Sequence, residues 1–271
     1  MNALPSVDGA SLPPIQPGRF CPSSYALGLD AFRAEPEFDT DLIYVVGGLY
    51  GNSEALRAII ACFDAEPADR KLLCFNGDFH WFDRDPDCFA AVEEGTRPYL
   101  RLRGNVETEL ASDDDAAGCG CAYPDSVAQD RIEQTWREEL AQRMETLGVQ
   151  LFASSHTCLP VASSVEREGR TYAVINNGAA GMGNFRGDPN GMLTRIACPG
   201  VAEPPIRPLY RTHLAQCRVE ALPVVFDHPA WQARFRAMWP LDSEAHRSYG
   251  QRILNGPAYE LPGAVRGQFH T

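Results

Sequence analysis

The stretch KLLCFNGDFH, residues 71–80, decides the fold. A short apolar run, Lys71–Phe75, reads as a buried strand, and it ends in Gly77-Asp78 rather than running on into a helix. Two later stretches repeat the arrangement: PYLRLRGNVE at 98–107 and GVQLFASSHTCLP at 148–160. Each apolar run delivers a polar group at its end, in order a carboxylate (Asp78), an amide (Asn105) and an imidazole (His156). Side chains collected at the ends of successive parallel strands are how an α/β fold builds a metal or phosphate site.

Working outward, Leu42–Val46 is a β-branched run ending in Gly47-Gly48, and Ser53–Phe63 has helical periodicity. Pro86–Glu94 reads as a helix with Pro86 in its first turn. The third strand is expected over Pro98–Leu102 and the fourth over Val149–Ala153, separated by an acidic, glycine-rich loop (SDDDAAGCGCAYPD) and a long helix from about Ser126 to Leu147. Beyond it the spacing tightens into strand pairs at Pro160–Val165, Thr171–Asn176, Met192–Ala197 and, in two pieces, Ala215–Phe226, which predicts antiparallel hairpins. A βαβαβαβ half followed by a β half predicts a two-sheet β-sandwich flanked by helices. Residues 1–40, rich in Pro, Gly and Ser, read as an extended arm. Residues 41–226 read as the main domain and 227–271 as a helical extension, with helices at Trp231–Met238 and Ser243–Leu254 followed by coil. In that extension Trp231, Phe235, Trp239 and Tyr249 fall near helical spacing and suit packing onto the sandwich, with a homo-oligomer contact or a lid as alternatives.

The 271 residues carry a net charge of −12, which argues against nucleic acid as the main partner, since phosphate backbones call for Lys/Arg clusters. No apolar run is long enough for a signal peptide or a membrane span, so cytoplasm is the expected compartment. Nine cysteines scattered over the chain do not resemble a disulfide framework. Cys62, Cys74 and Cys198 lie in apolar stretches and read as small core hydrophobes.

The order Gly77-Asp78, Gly104-Asn105-Val106-Glu107, then Ser155-His156-Thr157-Cys158-Leu159-Pro160 resembles the calcineurin-like metallophosphoesterases over roughly residues 41–226. The resemblance implies the αββα sandwich of that family and a metal site at the strand ends, with Asp78, Asn105 and His156 as ligands and Glu107 at the acidic position of the third motif. It also shows departures. Where the family has Asp-x-His-Gly-Asn after the first strand, this chain has Gly48-Leu49-Tyr50-Gly51-Asn52, so both ligands there are replaced. Val106 stands where some members carry a general-acid histidine, and a valine transfers no proton. No histidine lies between His80 and His156, where the family supplies a lone ligand. Cys158 takes the place of the second histidine of the fourth motif, and a thiolate can bind zinc or iron. Asn176–Gly181 resembles the family's glycine turn beside the pocket.

Asp78 and His80 have i, i+2 spacing and in an extended segment share a side, so His80 can join Asp78 on one metal or be a plain loop histidine beside Trp81 and Phe82. Cys119 and Cys121 could supplement the ligands, form a redox pair with another thiol or be incidental. What the resemblance implies is a divalent metal (Mn, Zn, Fe or Mg), with one ion, two or none all open. Arg84, Arg103 and Arg186 are the candidate phosphate clamps. Three readings follow: a phosphohydrolase acting on a phosphomonoester, phosphodiester or nucleotide, an inactive relative that binds a phosphorylated small molecule or a partner protein, and a doubly wound nucleotide-binding protein using GGLYGN at 47–52 as a phosphate loop.

Overall fold

A computed structural model describes residues 28–111 and 140–271. Six strands form one sheet in the order β3-β2-β1-β7-β9-β8, and three form a second in the order β4-β6-β5. The first sheet is built from β1 (Leu42–Val46), β2 (Lys71–Asn76), β3 (Leu100–Leu102), β7 (Gly191–Ala197), β8 (Tyr210–Leu214) and β9 (Cys217–Val224). The second holds β4 (Leu151–Ser154), β5 (Pro160–Arg167) and β6 (Arg170–Asn177). Helices α1 (Ser53–Asp64), α2 (Pro86–Thr96), α3 (Asn105–Leu110), α4 (residues 140–147), α5 (His228–Met238), α6 (Glu244–Asn255) and α7 (Leu261–Ala264) flank them. The expected two-sheet α/β sandwich with flanking helices is present.

Local chemistry sets the element ends. Asn52 caps α1, its side-chain oxygen accepting from the Ala55 N–H at 3.0 Å, and Asp85 caps α2 with Pro86 in the first turn. Buried Leu42, Tyr44 and Val46 of β1 join Ile59 and Phe63 of α1, Phe75 of β2 and Trp231 and Phe235 of α5 in one apolar cluster. Burial of such a set supplies most of the folding drive.

The parallel β1-β2-β3 unit is as expected, but β4 is not its fourth strand. The open edge of β1 is taken by antiparallel β7, and β4 pairs in parallel with β6 in the other sheet. Nor do β6 and β7 form a hairpin, since they lie in different sheets. The third strand starts at Leu100 rather than Pro98, because Pro98 has no N–H and the Tyr99 N–H turns back to the Thr96 carbonyl. The final hairpin is shifted toward the N-terminus: its turn sits at Ala215, whose φ of 53° reverses the chain, and β8 precedes it. The tail after α6 is also more than coil. It contains α7, bridges β5 through Val265 and Ala162, and bridges β8 through His270 and Arg211. Residues 1–27, together with Cys119 and Cys121, lie outside the described residues, as does the first part of the helix expected from Ser126.

Candidate functional site

The ends of β1, β2 and β3 meet at one corner of the larger sheet. Gly77 (φ 82°) and Gly104 let the β2 and β3 turns touch backbone to backbone, for a Cβ on Gly77 would lie 2.5 Å from the Gly104 Cα. Glu107 holds this corner together. Its carboxylate accepts from the N–H groups of Asp78 (2.9 Å), Gly104 (2.9 Å), Phe79 (2.8 Å) and His80 (3.4 Å). The acid after the third strand therefore binds the backbone of the second.

Asp78 is buried, has a positive φ of 58° and accepts from the Val106 N–H at 3.3 Å. Burial pushes its carboxyl up to about 6, with the Val106 N–H opposing the shift and Glu107 reinforcing it. His156 Nδ1 lies 3.3 Å from Asn105 Oδ1, so the amide and the imidazole meet across the two sheets. Burial holds the His156 pKa below its ordinary value and favours the neutral ring. Beneath them, Ser155 Oγ accepts from Asn76 and Asn177, and Asn177 in turn accepts from Thr194 at 2.6 Å. This network joins the two sheets under the site and employs the first residues of the glycine turn at 176–181.

Tyr50 fills the position beside Asp78. Its φ of 53° folds the ring back over Gly48, where an added Cβ would fall 2.3 Å from Tyr50 Cζ. The phenol oxygen sits 2.6 Å from Cys158 Sγ. Burial, then the charges of Cys158 and Asp78, raise the Tyr50 pKa well above its usual value, so it remains a neutral phenol. Cys158 itself lies on a left-handed turn (φ 57°). The main-chain carbonyl of Cys158 accepts from Arg252 Nη2 of α6, and Arg252 Nε donates to the Gly183 carbonyl at 2.9 Å. Tyr50, Val106, His156, Cys158, Tyr249 and Arg252 are among the residues lining a cavity of about 220 Å³.

His80 belongs to a different cavity. Its ring stacks on Phe89 at 3.9 Å, Nδ1 is 2.6 Å from Asp83 Oδ2, and Nε2 faces Glu93 at 3.6 Å. Burial opposes a charge on this ring, but Asp83, Glu107 and Glu93 outweigh it and raise the pKa. Arg103 lines the same cavity of about 420 Å³. The other two candidate clamps are engaged elsewhere: Arg84 covers the Trp239 ring at 5.2 Å, and Arg186 pairs with Glu260 at 2.7 Å. Arg252, the arginine that does line the inner cavity, carries no motif signal in sequence. It sits on a helix 94 residues from Cys158, and only tertiary packing brings the two together.

These residues do not fit a dinuclear metal centre. Gly48 offers no donor, the Tyr50 ring occupies the adjoining space, and His80 turns to Asp83 and Glu93. Among the described residues no group of three His, Cys, Asp or Glu side chains converges as a metal site. Among those residues, too, no helix is long and apolar enough to cross a membrane.

No protein-family model matches the chain, and no curated protein does. Among solved structures, a metallophosphoesterase from Sphaerobacter thermophilus is similar at 17% identity and a TM-score of 0.45, covering 81% of this chain and 100% of that one. A conserved uncharacterized protein from Streptococcus pneumoniae TIGR4, described as a predicted phosphoesterase, is similar at 13% identity and a TM-score of 0.34, covering 61% of this chain and 97% of that one. Identities this low assign no activity.

Proposed function

We propose that this chain is a phosphoesterase-like protein that binds a small phosphorylated molecule in the Tyr50–His156–Arg252 cavity without hydrolysing it through metal-activated water. The observation that carries this reading is the Tyr50 ring packed over Gly48 with its hydroxyl on Cys158. The ring takes the space beside Asp78 that a bound ion would need. Val106, also in the cavity lining, has no side-chain proton to donate.

Binding has its own support. The two bonds from Arg252 to carbonyls use Nε and Nη2, so Nη1 is bonded to neither, and the residue lines the cavity. A guanidinium fixed in this way suits phosphate oxygens.

Calorimetry with inorganic phosphate and a panel of phosphomonoesters tests the reading, alongside phosphatase and phosphodiesterase assays with Mn, Zn, Fe and Mg. Saturable, metal-independent binding without turnover is expected. The contact between Asn105 and His156 beside Asp78 favours a second reading, hydrolysis with one ion held by those three residues. Phosphate release that Asp78→Ala abolishes would establish the second reading and overturn the first.

A further inference from the structure

Cys198 lies in an apolar stretch of the sequence, yet its sulfur is 3.5 Å from that of Cys217. The two residues close one end of the β7–β9 ladder. Ala197 pairs with Arg218, so the next cross-strand pair outward is Cys198 opposite Cys217. Cross-strand partners in an antiparallel ladder have Cα atoms about 4.5–5.5 Å apart, inside the range of about 4.4–6.8 Å that a disulfide spans. The sulfurs already face one another, and both residues are only half-buried, so a small reagent can reach them. Cys62 and Cys158, by contrast, meet tyrosine hydroxyls, those of Tyr44 and Tyr50.

We propose that Cys198 and Cys217 form a reversible dithiol–disulfide site whose oxidant is a low-molecular-weight disulfide. One protein thiolate attacks the small disulfide, forming a mixed disulfide and releasing one small thiol. The second protein thiolate then attacks the protein sulfur of that mixed disulfide and releases the other small thiol. The protein gives up two electrons and two protons, and the reagent takes them up as two thiols. Burial and the neighbouring Cys198 push the Cys217 thiol up to about 11, so the reaction is expected to quicken as pH rises.

The bond would clamp three strands at once. The Cys198 N–H donates to the Asp41 carbonyl at 2.8 Å, just before β1, while Cys217 opens β9 directly after the β8–β9 turn. Oxidation would therefore fix the start of β1, the end of β7 and the final hairpin together.

The experiment treats the full chain with oxidised glutathione, alkylates the remaining thiols and maps tryptic peptides by mass. Arg211 lies between the two cysteines, so a linked peptide pair is diagnostic. Expected are one Cys198–Cys217 link, its reversal by dithiothreitol, and a Tm for the oxidised protein higher by roughly 5 °C. Cys217→Ser should abolish the link and the Tm shift together. Alkylation of both cysteines after oxidation, a mixed disulfide that never resolves, or a link joining other cysteines would each overturn the proposal. The peptide map of the unmutated chain decides this even if a serine variant folds poorly.

Discussion

Gly48 and Tyr50 form a single unit: the Tyr50 ring lies where any side chain at 48 would have to go, 2.3 Å from the Cβ that Gly48 lacks. Gly48→Ala should therefore destabilise the protein by about 1–3 kcal/mol through overpacking. Tyr50→Ala costs stability too, through lost burial. In the double variant the alanine at 48 has room, so the two effects should fall short of their sum by about 1–2 kcal/mol. Urea denaturation of the four proteins measures the coupling. Simple additivity would mean that the ring is not what excludes a side chain there.

Much of this corner is legible in sequence, and the part that is not is instructive. The limits of β1 and α1 follow from apolar period and the Asn52 cap, which are local effects. Asp78, Asn105 and His156 can be picked out because strand ends concentrate polar groups. Three features were hidden. The fold-back of Tyr50 depends on a left-handed backbone that only close packing enforces. His80 reads as a partner of Asp78 by spacing, but the loop turns it toward Asp83 three residues on. Sheet membership of β4 depends on which strand covers the open edge of β1, and that strand arrives from residues 191–197.

Asp78 gives the stability a defined pH slope. Its folded pKa of about 6 lies above the ordinary 3.8, so between those values the folded state holds the proton more tightly than the unfolded chain. This group's contribution is complete below the unfolded value, declines as pH rises toward 6 and levels off above it, a loss of about 3 kcal/mol. Asp78→Asn removes the slope. The variant should gain on the parent protein between pH 4 and pH 7, as read from urea midpoints at several pH values. His80 and His156 titrate equally in both proteins and drop out of the difference. A gap that does not change with pH would show that the Asp78 carboxyl is ionised throughout.

Glu107 should prove structural. Glu107→Ala leaves four N–H groups of the β2 and β3 turns without their acceptor, at a cost of about 2–4 kcal/mol. Amide exchange should accelerate at Asp78, Phe79 and Gly104 before it does in the strands. Glu107→Gln keeps one acceptor oxygen and should fall between the alanine variant and the parent. Equal exchange in all three proteins would remove the anchoring role.

Arg195 is sealed in the interior between Glu66 and Glu220, with contacts of 2.6 and 2.5 Å, and all three side chains are 0% exposed. Arg195→Met would leave Glu66 with the Tyr44 hydroxyl and Glu220 with Arg218 in place of a shared buried cation, and should cost about 3–5 kcal/mol. Replacing the acids as well, with Glu66→Gln and Glu220→Gln, should recover a large part of that loss. Thermal unfolding of the single and triple variants provides the comparison, and a triple variant no better than the single would shift the cause from charge to packing.

Arg252 separates recognition from architecture. Its Nε and Nη2 bonds tie α6 to the loops carrying Gly183 and Cys158, so a loss of ligand binding in Arg252→Met alone would be ambiguous. Arg252→Lys keeps the charge while losing the planar fork that holds both carbonyls and a third group together. Against a phosphomonoester that the parent protein binds, the lysine variant should weaken affinity about tenfold and the methionine variant at least a hundredfold, scaled to charge-assisted bonds of about 1.5–3 kcal/mol. Both variants lose the same pair of carbonyl bonds in large part, so their melting temperatures should lie close together while their affinities separate. Affinities that follow the melting temperatures instead would identify Arg252 as a tether for α6 and leave the cavity without its anion anchor.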